Sequence, residues 1–143
     1  MADRIEIREL TARYNTAIDD GRLDDYLETF TVGASFEVSG VPAAKGAAEI
    51  RALVAAIPWG HVHAATDSVI DIRGDTATQQ CTLLVIRRSR DKGEQSVLAT
   101  GRYIDDLVRT VDGWRFSARR ADLDISLPTM VGLLSPSQEA AQC

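Results

Sequence analysis

Several of the residue types that usually carry a protein's chemistry are scarce in this chain. Its 143 residues include two cysteines, two histidines and four prolines. Cys81 lies in a strand-like run and Cys143 is the last residue. Cysteines placed this way do not make a disulfide framework. Excess positive charge is also missing, since the formal net charge is −5 and the pI about 5.0. Non-specific nucleic-acid binding needs clustered Lys and Arg to displace phosphate counterions. The densest basic segments, Arg87–Arg88–Ser89–Arg90 and Arg115 to Arg120, alternate with acidic or apolar residues and form no stripe. Nucleic acid is therefore not an expected partner.

No apolar run approaches the length of a membrane span. The start of the chain, Met1 to Glu6, is charged and lacks the apolar region of a signal peptide. A cytoplasmic protein with no membrane partner is expected. There is no phosphate loop, no dinucleotide fingerprint and no Gly-x-Ser-x-Gly elbow, so no cofactor is expected.

What is present is an ordinary globular composition, with 45% apolar and 26% charged residues. The length suits a single domain with a real core. Residues 4–20 read as a helix, because Ile7, Leu10, Tyr14, Ala17 and Ile18 recur on one stripe. Gly21 supplies a helix stop. Asp24 is placed to cap a short second helix carrying Tyr26, Leu27 and Phe30. Phe36 and Val38 alternate with polar residues in a short strand over 34–39. After the breakers Gly40, Pro42 and Gly46, residues 47–57 read as a third helix closed by Pro58.

The second half changes character. Residues 61–72, 75–88, 95–109 and 114–125 are rich in Val, Ile, Thr and Leu. Turn signals at Arg73–Gly74–Asp75, Arg90–Asp91–Lys92–Gly93 and Val111–Asp112–Gly113 separate them. They read as a meander of antiparallel hairpins. Helices first and a long antiparallel sheet afterwards is the α+β pattern, with the helices covering one face of the sheet. The domain is expected to span residues 1–127. A C-terminal tail, 128–143, is expected to be loose at its end. The other face of the sheet is partly apolar over Thr82–Ile86 and Val97–Ile104, which points to a homodimer or homotrimer.

Ile7-x-x-Leu10-x-x-x-Tyr14, Gly74–Asp75–Thr76–Ala77–Thr78 and Asp112–Gly113–Trp114–Arg115–Phe116, in this order of elements, resemble the SnoaL-like branch of the nuclear transport factor 2-like superfamily. The resemblance covers roughly residues 4–125. It implies a cone, in which a curved antiparallel sheet and three helices from the N-terminal half enclose a pocket. The superfamily hosts cyclases, dehydratases, isomerases, epoxide hydrolases, dioxygenase small subunits and modules that catalyse nothing, so fold alone does not give function.

Site residues follow from the resemblance. Dehydratases and a dehydrochlorinase of this branch pair an Asp near the end of the first helix with a His on a pocket strand. The matching residues are Asp19 and His63. A bile-acid dehydratase also has a Tyr where Tyr14 stands. The dehydrochlorinase carries its His in a context similar to His63–Ala64–Ala65–Thr66–Asp67, and its Arg at the place of Arg119. Asp67 departs from the Asn common in relatives and adds a negative charge. The implied activity is that of a cofactor-free lyase, isomerase or cyclase acting on a small hydrophobic substrate. His63 would remove a proton, Asp19 would hold and charge the imidazole, and Arg119 or Tyr14 would stabilise the anion. The alternatives are a noncatalytic binding or assembly module, and a small subunit of a ring-hydroxylating dioxygenase.

The residues themselves leave more than one role open. Asp19 at a helix C-terminus faces the negative end of the dipole and, if buried, needs a partner. With Asp20 it also fits a solvated pair before a turn. A neutral imidazole at position 63 can accept a proton, but strict alternation puts His61, His63 and Asp67 on one face and Val62, Ala64 and Ile70 on the other. Both histidines also fit a strand surface. His61-x-His63 could begin a zinc site, but no further ligand sits at the right spacing, and no metal is expected. Alternation groups Arg120, not Arg119, with Trp114, Phe116 and Ala118, unless a bulge resets the register. An ordinary role for such an Arg is a salt bridge to Asp122 or Asp124. Tyr14 could be core or could donate its hydroxyl to a substrate oxygen. Phe30, Phe36, Trp59 and Tyr103 could line the pocket or pack the core.

Overall fold

The computed structural model describes residues 1–58, 60–89 and 92–134. Helix α1 runs Ala2–Asp19, α2 Leu23–Glu28 and α3 Gly46–Ala55. Strand β1 spans Phe30–Val38 and β2 the two residues Ala44–Lys45. Strands β3 (His61–Arg73), β4 (Thr76–Ser89), β5 (Glu94–Thr110) and β6 (Gly113–Leu123) form the long meander, and α4 (Leu127–Leu134) follows it. The result is α+β, with one curved six-stranded sheet in the order β2-β1-β6-β5-β4-β3.

The alternating runs became antiparallel hairpins as expected. β1 adds to the far side by pairing parallel to β6. The stripe of α1 is its buried face: Ile7, Leu10, Tyr14 and Ala17 pack onto the concave side of the sheet. Gly21 ends α1 with φ of 76°. Its N–H reaches the Ile18 carbonyl, and that of Arg22 reaches the Ala17 carbonyl. This double closure needs a left-handed residue, which Gly adopts without strain. It also fixes Asp19 in the last helical turn.

Some expectations need correction. Asp24 does not cap α2. That N-terminus has no side-chain cap, and Asp24 instead pairs with Arg51 of α3. The first strand begins earlier, at Phe30. The segment expected as a tail from residue 128 begins with helix α4, whose Leu127 and Met130 are buried in the core. A run of apolar residues, Leu127 to Leu134, explains this better than its proline does, because Pro128 occupies the first turn, where no backbone N–H is needed. Residues 135–143 and Cys143 lie outside the described residues, as do Trp59, Arg90 and Asp91.

Two bulges decide which side chains face inward. In β3 the register slips between Thr66 and Val69. Asp67 sits there with φ of 55°, a left-handed conformation that Asp tolerates better than most residues. The extra residue turns Ile70 onto the same inner face as His61 and His63, against strict alternation. In β6 the slip lies between Phe116 and Ala118. Trp114 and Phe116 point inward before it, and Arg119 and Ala121 after it, while Arg120 is exposed. The bulge resolves the conflict over the two arginines in favour of Arg119.

Candidate active site

The cone encloses an apolar cavity between α1, α3, α4 and the sheet. Its walls include Val54, Ile57, Leu83, Val85, Leu127 and Met130, and its polar atoms come from Tyr14, Tyr26, Tyr103, His61 and His63. The space open to the centre of a water molecule is about 50 Å³, enough for roughly three or four waters.

Asp19 and His63 meet at the rim of this space. The Asp19 carboxylate lies 2.7 Å from His63 Nδ1 and accepts the His63 backbone N–H at 3.0 Å. Both side chains are largely buried, with 12% and 15% exposure. The end of α1 thus delivers a carboxylate to the start of β3. An ionised carboxylate has no proton to give, so beside it Nδ1 carries the hydrogen, and in the neutral ring Nε2 keeps the lone pair. His63 also lines an open groove between α1 and β3 with Arg8, Asn15 and Thr66. The same ring therefore borders both the interior and a polar path to solvent. Asp67 lines that groove rather than the cavity and is itself exposed, so its charge is turned toward water.

The same cavity is lined by three tyrosines. Tyr26 donates its hydroxyl hydrogen to the Tyr14 hydroxyl at 2.9 Å. Tyr14 is left with its own hydrogen to donate. Burial raises the pKa of both phenols, which keeps them protonated as donors. Tyr103 donates to Asn15 at 3.0 Å. The sequence places Tyr26 on the second helix but not among the site residues. The signal available was its place one turn after the Gly21 stop, on the inner side of a short helix.

Arg119 is brought inward but not into the cavity. It is 1% exposed and makes two 2.8 Å hydrogen bonds to the equally buried Asp105. Its guanidinium lies 3.7 Å from the ring centre of Tyr103, 3.9 Å from that of Phe116 and 4.3 Å from that of Tyr14. Burial opposes its charge, but Asp105 outweighs burial and raises its pKa. The pairing is with Asp105, not with Asp122 or Asp124. Arg119, which the resemblance implied as an anion-stabilising residue, lies behind the cavity wall rather than in its lining. It holds the tyrosine rings in place by cation–π contact. Gln79 and Thr11 extend this buried network, which leaves Gln79 Oε1 and Arg119 Nη1 without a hydrogen-bond partner.

Of the aromatic candidates, Phe36 and Tyr103 line the cavity. Phe30 packs behind Tyr14 and Tyr26 at 5.9 and 5.6 Å and is not part of the lining. Trp59 lies outside the described residues. Among the described residues, no group of three or more His, Cys, Asp or Glu side chains is arranged to hold a metal ion, and no helix is long and apolar enough to cross a membrane.

The SnoaL-like domain family matches residues 1–120. The chain belongs to the SnoaL-like family. An uncharacterized protein of Mycobacterium tuberculosis is 31% identical over 127 residues, covering 83% of this chain and 84% of the relative. The small subunit of anthranilate 1,2-dioxygenase from Burkholderia cepacia is 28% identical, covering 85% and 86%. Among solved structures, an NTF2-like protein with a cystatin-like fold from Novosphingobium aromaticivorans is 29% identical with a TM-score of 0.77, covering 94% of this chain and 90% of that one. The nuclear transport factor 2-like architecture of this SnoaL-like chain is thereby shown, and its family includes isomerases, dehydratases and cyclases.

Proposed function

We propose that this SnoaL-like protein is a cofactor-free lyase or isomerase acting on a small, largely apolar molecule by general acid–base catalysis. The observation that carries this reading is the 2.7 Å contact between Asp19 and His63 Nδ1 on the rim of a cavity that also holds a free tyrosine hydroxyl hydrogen. Nε2 of His63 takes a proton from a carbon beside a carbonyl. The electron pair moves toward the carbonyl oxygen, where the Tyr14 O–H meets the developing charge. Asp19 stabilises the imidazolium that forms. Expulsion of a β-substituent then gives elimination, and return of the proton to a different carbon moves a double bond. A cyclisation begins with the same abstraction.

The test is a crystal structure after soaking with a small hydrophobic ketone such as 2-tetralone. The expected density lies between Tyr14 and His63, with the ketone oxygen at the Tyr14 hydroxyl. A cavity that stays closed to every such compound favours a noncatalytic module instead.

A second reading has the Burkholderia relative in its favour: a small subunit of a ring-hydroxylating dioxygenase. It requires a larger iron–sulfur partner, and stable co-purification of one from the native host would support it. We also propose that two copies of the chain associate through the outer sheet face. Val62, Leu84, Ile86 and Val97 are neighbours there across β3, β4 and β5. Arg102, Arg120, Asp106 and Asp122 lie on the same face, a mixture of signs that suits self-pairing about a two-fold axis.

A further inference from the structure

His61 is outside the acid–base arrangement described above, yet it shares its cavity. It opens β3 two residues before His63, so both rings fall on one face of the strand. The rings stand 4.9 Å apart, edge to face, and both line the cavity. Their anchoring differs. Nδ1 of His63 is held by Asp19, whereas Nδ1 of His61 is buried without a hydrogen-bond partner in a residue only 8% exposed.

Burial, and then the neighbouring His63, lower the His61 pKa to about 4; Asp19 and the Pro58 carbonyl, a backbone acceptor beside the ring, act in the opposite direction and Arg88 in the same one, and the nitrogen without a hydrogen-bond partner is Nδ1. The ring is therefore neutral near pH 7, with one N–H and one lone pair. Buried polar atoms are nearly always paired. An unpaired one in a cavity wall favours a ligand that supplies its partner over a ligand that does not. A hydroxyl suits either tautomer, because it can donate to the lone pair or accept from the N–H.

We propose that His61 is a substrate-binding residue whose free ring nitrogen pairs with a hydroxyl on a small, otherwise apolar molecule. This rests on the reading of the cavity as a substrate site and narrows its substrate class. The molecule has an acceptor oxygen for Tyr14 and a hydroxyl for His61, and both residues line the cavity. Its hydrocarbon body fits against Val54, Leu83, Val85 and Met130.

The test uses phenol and toluene, which match in shape and differ in the hydroxyl. Binding of each is measured by NMR titration to the wild-type protein and to His61→Phe and His61→Asn variants. The wild type is expected to prefer phenol by about tenfold, in keeping with one buried hydrogen bond. The preference should vanish in His61→Phe and survive in part in His61→Asn, which keeps a polar atom near the position of Nδ1. In the wild type, the ¹⁵N resonance of His61 Nδ1 should shift with phenol and stay put with toluene. That readout stands even if His61→Phe fails to fold. A preference that survives in His61→Phe, equal binding of the two probes, binding of neither, or an unmoved Nδ1 resonance would overturn the assignment. Phenol selectivity does not depend on proton abstraction by His63, so the base reading and this one can fail separately.

Discussion

Asp19 grips His63 at two points, accepting from its ring nitrogen and from its own backbone N–H. A carboxylate in the last turn of a helix is disfavoured by the dipole, and this one is stabilised by a partner on a different element. The two contacts fix both the tautomer of the imidazole and the place where β3 begins. In Asp19→Asn the amide can donate as well as accept, so it no longer enforces Nδ1–H. Side-chain ¹⁵N NMR should show a single Nε2-unprotonated tautomer of His63 in the wild type and a mixture in the variant. Turnover, once a substrate is in hand, should fall by about 10²-fold or more.

Arg119 and Asp105 give the clearest stability prediction. Removing either partner leaves a charge without compensation in the centre of the fold. Arg119→Met or Asp105→Asn should each cost about 3–5 kcal/mol in chemical denaturation. The paired change Arg119→Met with Asp105→Leu should recover part of that loss, because replacement of a buried ion pair by apolar residues is often tolerated. If Arg119 instead contacted substrate directly, its loss would impair turnover with little effect on stability.

The two tyrosines should separate in function. Tyr14→Phe removes the donor that faces the developing charge, and should lower kcat by about 10²-fold. Tyr26→Phe removes only the group behind it, with a smaller effect on kcat and a stability loss of about 1 kcal/mol. Equal effects of the two variants on kcat would contradict the order of donation from Tyr26 to Tyr14.

His61 makes stability depend on pH in a defined window. Its folded pKa is about 4, against an ordinary 6.5, chiefly through burial. Between these values the unfolded chain binds a proton that the folded chain does not, so the contribution of His61 lowers stability as pH falls from about 6.5 to 4. Denaturation curves over that range should be steeper in pH for the wild type than for His61→Phe. An identical slope would mean that His61 reaches solvent.

Association can be checked by light scattering. The wild type is expected as a dimer at micromolar concentration, and Ile86→Glu on the outer face as a monomer. A monomeric wild type would sink the proposed pairing.

The periodicities carried most of the fold. Ile7, Leu10, Tyr14 and Ala17 announced the buried face of α1, and the three turn signals placed the hairpins within a few residues. The bulges at Asp67–Ser68 and Ser117 were not legible, because an inserted residue leaves the composition of a strand unchanged while reversing the faces beyond it. That is why Ile70 turned inward against alternation. The parallel pairing of β1 with β6 and the docking of α4 depend on contacts between distant segments. In the site, Asp19, His63 and Tyr14 came from resemblance. The roles of Tyr26 and His61 in the cavity became visible only once their neighbours were known, since their hydrogen bonds, made or missing, are set by packing rather than by local pattern.

The central claim is that the Asp19–His63 pair removes a proton from carbon inside the cavity. Hydrogen–deuterium exchange tests it without knowledge of the natural substrate. Small hydrophobic ketones, 2-tetralone among them, are incubated in D₂O with the wild type and with His63→Gln, and loss of the proton signal beside the carbonyl is followed by NMR. The wild type is expected to accelerate exchange over buffer. In His63→Gln, with its fold confirmed by circular dichroism, the acceleration should fall by about 10²-fold or more. Exchange that is no faster than in buffer, or that persists undiminished in His63→Gln, would contradict the account.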